Sequence, residues 1–349
     1  VVSQLEDALQ NRGCNFVRVN PKINRNIEDL STDITFVLEK GDRVFVERID
    51  ITGNTATLDR VIRRQFFIVE GDPFNPNEIR AAKERILALG LFSDTSVDLF
   101  PGSTSSQIVV KVKVEEKPTG TLSFGAGYSS ASGLGGIVEY SEKNFLGRGQ
   151  GLSFSLRTGA DDRLYELSFF EPMFLRNELG LGMNLSLKDT NKQNAAYDTE
   201  NLMFQPFIIY PLGQKAKLKV DYSIIQTDLS NPGLVGTIVT DEVNEGKITS
   251  SSIGYELTND SRLYKSGQKN GFLLRVGQQF SGLGGDNTGL KTLIMAAAQR
   301  EAFKEEVKFS AVVEAGVLTY TSGNSRVTDR FFLSSNKMRG FEPGGLGPR

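Results

Sequence analysis

Hydrophobic and polar residues alternate strictly through most of the chain after about position 120. In the stretch 120–128, Leu122, Phe124, Ala126 and Tyr128 fall on one face of a strand, and small or polar residues fall on the other. The same two-sided pattern continues almost unbroken and predicts about eleven strands. They lie at 120–130, 133–142, 150–159, 163–171, 178–189, 198–210, 215–228, 248–258, 269–281, 287–299 and 305–321.

The connections between these predicted strands alternate in length. Turns after even-numbered strands are mostly compact, whereas connections after odd-numbered strands include the long 229–247 and the terminal 322–349. Strands of about ten residues with short turns at one end and longer loops at the other are typical of outer-membrane β-barrels. A soluble sandwich or barrel shows the same alternation. Its strands are usually shorter, about five or six residues, so we favour a transmembrane barrel whose apolar face contacts lipid.

The first 118 residues predict a different fold class, built from small α+β units. One unit contains a strand at 43–52, helices beginning near Leu58 and at Asn75, and strands at about 95–100 and 107–116. Asn75-Pro76 is a strong helix start, because asparagine caps a helix and proline suits its first position. Glu78 is placed to reach back as in a capping box. Gly90 is the expected left-handed residue after that helix.

Residues 1–41 resemble the end of a second such unit. The pattern predicts a helix at 3–12, a strand at 14–19, a loop and a strand at 32–39. Gly13 and Gly90 occupy equivalent places, which indicates a repeated module. The chain opens within a helical pattern and stops without a closing element, so we expect it to be an internal fragment of a longer protein.

Composition argues against an enzyme or a nucleic-acid-binding protein. The chain has 40 Lys+Arg and 42 Asp+Glu, and therefore lacks the basic excess typical of nucleic-acid binding. It has no histidine, the most frequent general base and metal ligand. Cys14 is the single cysteine and is expected to be a buried apolar residue. Gly282-Leu283-Gly284-Gly285 lacks the helix that a dinucleotide site requires and is expected to be a loop. We expect no catalytic residues, metal or cofactor, and no transmembrane helix.

Several short motifs resemble the BamA family of outer-membrane β-barrel assembly factors. The most specific is Arg339-Gly340-Phe341 followed by Gly347-Pro348, which resembles the sixth extracellular loop of that family. Further matches are Gly53-Asn54, Leu89–Phe92, Gly120–Tyr128 and the turn Asn144–Gly147, and the α+β units resemble POTRA modules. The resemblance covers essentially the whole chain. It implies the end of a fourth POTRA module (1–41), a fifth module (42–118), eleven of sixteen barrel strands (119–322) and extracellular loop 6 (323–349).

The resemblance implies a function without covalent chemistry. Members of the family fold and insert β-barrel proteins into the bacterial outer membrane, with their POTRA modules in the periplasm. The implied partners are accessory outer-membrane lipoproteins, unfolded outer-membrane clients and the lipid bilayer, with no nucleic acid. A two-partner secretion transporter, which has the same modules and exports one partner protein, is the alternative. A passive porin is a further possibility, against which the POTRA modules and the loop motif argue.

The resemblance also assigns roles to residues. Leu122, Phe124, Gly125 and Gly127 fall on the first barrel strand, which pairs weakly with the last strand so that the barrel opens laterally. Interior glycines weaken a strand, although the two glycines would equally suit close packing in the lumen. Arg339 is expected to anchor its loop to carboxylates on later strands. Arg63 and Glu70 match positions that dock an accessory lipoprotein, although ordinary surface charges remain an alternative for them.

Overall fold

The structure is a computed structural model, and it describes most of the chain in two compact units. The first unit comprises Val1–Gly120 with Lys143–Gly149, and the second comprises Thr121–Glu142 with Gln150–Arg349. The described residues are 2, 5, 9, 17–26, 31–40, 43–129, 133–159, 162–175, 179–191, 197–213, 215–232, 236–262, 270–303, 307–323 and 325–331. No helix within these ranges is long and apolar enough to cross a membrane.

The first unit begins with an antiparallel pair, β1 (Val17–Asn26) and β2 (Ser31–Lys40). The prediction ended the first of these strands at residue 19 and was too short. Its continuation is polar and contains Pro21, which does not suggest a strand. Pairing with β2 holds the segment extended to Asn26, and proline is tolerated because β1 has a single strand neighbour among the described residues. Cys14 lies outside the described residues.

The rest of the first unit has the predicted order β-α-α-β-β. Its elements are β3 (Phe45–Thr52), α1 (Asp59–Arg63), α2 (Pro76–Ala88), β4 (Phe92–Pro101) and β5 (Gln107–Glu116). The strand β5 is central, parallel to β3 and antiparallel to β4. Alternate residues of β5, such as Val110 and Val112, meet Ile62 of α1 and Ile86 of α2 in a core where all four side chains are fully buried. This module therefore has an apolar core of its own.

The helix α2 begins where the sequence predicts. Asn75 Oδ1 accepts hydrogen bonds from the backbone N–H groups of Asn77 and Glu78, at 3.0 and 3.4 Å, and Pro76 occupies the first turn. The Glu78 carboxylate accepts from the N–H of Phe67 at 3.0 Å and pairs with Arg85. It thereby ties the helix to the segment that precedes it, a use of Glu78 that the capping-box pattern does not predict.

The second unit is built on one antiparallel sheet of eleven strands, which confirms the predicted number. The strands are β6 (Gly120–Ser129), β7 (Gly133–Phe145), β8 (Gln150–Thr158), β9 (Asp162–Phe174), β10 (Leu179–Asn191), β11 (Asp198–Pro211), β12 (Ala216–Ser230), β13 (Ile248–Asp260), β14 (Gly271–Ser281), β15 (Thr288–Ala302) and β16 (Val307–Ser322). Each strand pairs with its neighbours in sequence, so β6 and β16 are the outermost of the described strands. A helix, α3 (Thr237–Glu245), lies in the connection between β12 and β13 and was not predicted.

The two faces of this sheet differ in chemistry. Leu185 of β10 pairs with Phe204 of β11, and their side chains are 43% and 42% exposed. On the opposite face, Asn184 Nδ2 donates to Gln205 Oε1 at 3.3 Å, and Gln205 Nε2 donates to Asp221 Oδ2 at 2.9 Å. One face therefore exposes contiguous apolar side chains, while the other is linked by polar side chains. This is the arrangement of a transmembrane barrel, with lipid on the apolar side and a polar lumen.

Candidate functional site

The strand predicted to form the lateral gate lies at an edge of the sheet. Among the described strands, β6 has β7 as its only neighbour. Its side chains are exposed along 120–128, with Leu122 at 61% and Phe124 at 79%. The outer backbone N–H and C=O groups of such an edge are available to a further strand.

The two glycines of β6 differ in their surroundings. A Cβ atom at Gly125 would lie 3.2 Å from Ile137 Cγ2 on β7, a tight contact. A Cβ atom at Gly127 would meet no heavy atom of the described residues within 4 Å. Among these residues, close packing accounts for glycine at position 125 and not at position 127.

Arg63 and Glu70 lie side by side on the module. Arg63 Nη1 is 3.4 Å from Glu70 Oε1, and Arg63 Nε is 2.8 Å from Asp59 Oδ1. Arg63 Nη2 donates to the carbonyl of Ile49 at 3.1 Å, and Glu70 Oε1 accepts from the N–H of Ile49 at 3.2 Å. The hydrogen bond to Asp59 raises the pKa of Arg63 above its usual value. The pair ties α1 to β3, and 53% of the Glu70 side chain stays exposed.

The Gly53-Asn54 motif begins a turn that is held by Glu116, the last residue of β5. The Glu116 carboxylate accepts from the N–H groups of Thr55, Ala56 and Thr57 and from the Thr55 hydroxyl, at 2.6–3.0 Å. Burial alone would raise the pKa of Glu116, but these hydrogen bonds outweigh it and hold the pKa at about 2. Glycine is required at position 53, because φ is +89° and a Cβ atom would lie 2.0 Å from the Val114 carbonyl oxygen.

The Asn144–Gly147 motif belongs to the first unit, although it connects two strands of the large sheet. Asn144 Nδ2 donates to Thr57 Oγ1 at 2.9 Å, and Asn144 Oδ1 accepts from the N–H of Gly149 at 2.8 Å. The carbonyl of Gly147 accepts from the N–H of Leu58 at 2.8 Å. Gly147 has φ of +69°, and a Cβ atom there would lie 2.1 Å from the Ala56 carbonyl oxygen. This motif and the Gly53-Asn54 motif therefore meet in one hydrogen-bonded surface of the first unit.

The loop motif Arg339-Gly340-Phe341 lies outside the described residues, which include only 323 and 325–331 of its connection. Within that part, the Tyr320 hydroxyl donates to Asp329 Oδ2 at 2.7 Å. The Phe331 ring covers Gly316, where an added Cβ atom would lie 2.6 Å from its Cζ, and Lys291 Nζ is 5.5 Å from the ring centroid. Gly316 and Tyr320 alternate with the exposed Val313 and Val317 along β16. The start of the connection therefore folds back over the polar face of the sheet.

Sequence reasoning missed the residues that hold this connection. Arg326 and Val327 are buried, and both contact α3, which the pattern reading assigned to a long loop. The available signal was weak: Gly236 and Gly246 bracket nine residues without glycine or proline. Such a segment suits a short helix, but its length gives little support to one.

Two family models match the chain. The Omp85 superfamily domain matches residues 144–349, and the POTRA model, described as a surface antigen variable number repeat, matches residues 44–117. The outer membrane protein assembly factor BamA of Neorickettsia risticii is 28% identical over 99% of this chain. The match covers 46% of that protein, so the chain spans about half the length of the curated relatives it matches.

Solved structures show the same fold. BamA from Haemophilus ducreyi lacking POTRA domains 1–3 aligns with a TM-score of 0.77 at 21% identity, covering 99% of this chain and 69% of that chain. CdiB from Acinetobacter baumannii aligns with a TM-score of 0.57 at 10% identity, covering 99% of this chain and 65% of that chain. At these identities the likeness concerns the fold alone.

Proposed function

Because this chain belongs to the Omp85 superfamily, we propose that it is the part of a BamA-like assembly factor that folds and inserts β-barrel proteins into the outer membrane. The protein lies in the bacterial outer membrane, with its POTRA module in the periplasm. The main support is the match over 99% of the chain to a protein named as an outer membrane protein assembly factor. In this proposal residues 1–41 are the end of the fourth POTRA module, 42–118 the fifth module, 119–322 the barrel strands and 323–349 extracellular loop 6.

The proposed mechanism starts from the exposed edge of β6. When the weak pairing of β6 with the last barrel strand opens, an extended client segment pairs with the released N–H and C=O groups of this edge by β-augmentation. Gly127 supports this role, because it has open space around it and an interior glycine weakens a strand. Leu122 and Phe124 would then direct apolar side chains towards lipid beside the incoming strand.

A photo-crosslinking residue at position 124 of the full-length protein is expected to capture outer-membrane clients during their assembly. The matched control is position 204, a phenylalanine on the apolar face of the interior strand β11. Both β11 edges are already paired, so a crosslinker there should contact lipid and few clients. The measurement is the yield of client adducts on denaturing gels. Equal yields at positions 124 and 204 would contradict assembly at the β6 edge.

We also propose that Arg63 and Glu70 contribute to docking an accessory lipoprotein. The exposed half of Glu70 supports this role, as do the apolar side chains of Phe67 and Val69 beside it, 58% and 62% exposed. An apolar surface rimmed by charge is typical of a protein-binding site.

Reversal of Glu70 to lysine is expected to reduce co-purification of the lipoprotein with the full-length protein. Glu70→Lys also removes the acceptor for the N–H of Ile49, so Glu70→Gln, which keeps an acceptor, serves as the control. Hydrogen exchange of the Ile49 amide distinguishes a loss of docking from a local loosening of the module, because only the loosening would speed its exchange. If Glu70→Lys co-purifies with the lipoprotein as well as the wild type does, Arg63 and Glu70 are not part of the docking surface.

The secretion-transporter alternative receives no comparable support. The CdiB structure shares the fold at 10% identity, which carries no functional argument. Sequence upstream of residue 1 distinguishes the two functions, because a plug helix and only two modules would favour the transporter.

A further inference from the structure

The helix α3 has few of the features that stabilise a helix from within. It has nine residues, its N-cap Gly236 makes no side-chain capping bond, and its last turn contains no basic residue. A helix of this length is marginal in water, and its last four carbonyl groups need partners from outside. Its stability must therefore come from contacts elsewhere in the chain.

Arg326 supplies the missing partner at the C-terminal end of α3. Arg326 Nη2 donates to the carbonyl oxygens of Glu242 and Gly246, at 3.0 and 3.1 Å, and lies 3.6 Å from the Glu245 carboxylate. A cation at this end of a helix also interacts favourably with the helix dipole. Arg326 is only 4% exposed, and its Nε and Nη1 atoms are buried without a hydrogen-bond partner among the described residues. Burying a guanidinium in this way costs free energy that an exposed arginine would avoid.

Glu242 makes the reciprocal contact from α3 to the connection after β16. Both of its carboxylate oxygens accept from the N–H of Val327, at 3.1 and 3.0 Å, and Arg330 Nη2 lies 4.0 Å away. Glu242 and Val327 are 8% and 6% exposed. Burial raises the pKa of Glu242 although Val327, Arg326 and Arg330 act to lower it. The helix and the connection thus each satisfy buried polar groups of the other.

We propose that Glu242, Arg326, Val327 and Arg330, here called the α3 cluster, couple the order of α3 to the docking of residues 325–330, the described start of the connection that leads to the Arg339-Gly340-Phe341 motif. Arg339 follows Arg330 by nine positions. The start of this connection is fixed at two places, at α3 by the cluster and at β16 by the Tyr320–Asp329 hydrogen bond. In the proposed arrangement α3 is ordered only while residues 325–330 are docked against it. The contacts that define the α3 cluster do not depend on the protein's function, whereas its effect on client assembly rests on the proposed function.

Hydrogen exchange of the full-length protein in lipid nanodiscs tests this coupling. In Arg326→Ala, protection of the amides in 241–246 is expected to fall by about tenfold or more. A change of this size corresponds to the loss of charge-assisted hydrogen bonds. Arg326→Lys, which keeps the charge and an ammonium group that can donate to the same carbonyls, should restore part of that protection. Thr240→Ser, at an exposed position on the same helix, is the control and should leave protection unchanged. Protection of β12 and β13 should be the same in all variants.

Glu242→Gln tests the contact from the side of α3. It provides an independent test of the proposal if Arg326→Ala fails to fold. It should lower protection of the Val327 amide and, through the coupling, of the last turn of α3. If the α3 amides keep their protection in Arg326→Ala, the proposal is wrong. It is also wrong if Glu242→Gln lowers the protection of the Val327 amide while the α3 amides stay protected. In cells, assembly of clients should fall in Arg326→Ala and recover in part in Arg326→Lys. If the unmodified full-length protein has no assembly activity, the proposed function is wrong. The hydrogen-exchange result would still test the coupling between α3 and residues 325–330.

Discussion

An arginine in place of Leu185 is expected to destabilise the membrane-inserted sheet by about 2–4 kcal/mol, the cost of a cation at the bilayer midplane on the lipid face of a barrel. Leu185 lies in the middle of β10 and is 43% exposed on the apolar face. Its replacement would place a guanidinium in hydrocarbon. We expect the full-length variant to lose the folded species that is distinguished on gels by its change of mobility on heating.

Asn184→Arg is the matched control, one residue away on the opposite face. There the new guanidinium would lie beside Gln205, which itself binds the Asp221 carboxylate. A polar, partly hydrated surrounding of this kind accepts the charge at far lower cost. If both variants were tolerated equally, the assignment of the apolar face to lipid would be wrong.

Replacing Glu116 by glutamine is expected to lower the free energy of unfolding of the POTRA module by roughly 2 kcal/mol at neutral pH, because hydrogen bonds to a charged acceptor contribute about 1.5–3 kcal/mol. Glutamine retains the shape of the side chain but accepts through one oxygen, so part of the turn at 55–57 loses its partners. The measurement is hydrogen exchange of the Ala56 and Thr57 amides in the full-length protein. Glu115→Gln, an exposed neighbour on β5, should have little effect.

The effect of Glu116→Gln should depend on pH in a defined direction. The folded-state pKa of about 2 lies below the ordinary value of 4.5. The stability contributed by this carboxylate is therefore complete above about pH 4.5 and is lost as the pH falls towards 2. The difference between wild type and Glu116→Gln should shrink across that window. A difference that stays constant from pH 5 to pH 2 would show that the charge of Glu116 does not stabilise the turn.

The large sheet could be predicted from sequence because its residues face only two environments. Lipid and lumen impose opposite polarity at every second residue, so strands such as β10 are defined over thirteen positions by a single rule. The start of α2 was equally readable, since the cap at Asn75 depends on residues two and three positions away. In both cases the information is local.

Other features depended on distant partners, which one sequence does not reveal. The strand β1 continues through a polar segment because β2 pairs with it. The helix α1 ends at Arg63, although Leu58, Val61, Ile62 and Phe66 have the spacing of one helical face, because its final turn tightens to bonds three residues apart. The helix α3 is held by residues some eighty positions later in the chain. Its own nine residues give only a weak signal for a helix, which is the absence of glycine and proline between Gly236 and Gly246.

The turn at 143–149 has a practical consequence for dissecting this protein. A fragment that stops near Gly120 contains every helix and strand of the POTRA module, yet it lacks Asn144 and Gly147. Thr57 Oγ1 and the N–H of Leu58 would then lose the partners they have in the longer chain. During synthesis, likewise, this surface is completed only after β7 and the turn beyond it have been made. Properties measured on an isolated module therefore describe a surface at 56–58 that lacks its hydrogen-bond partners from the turn at 143–149.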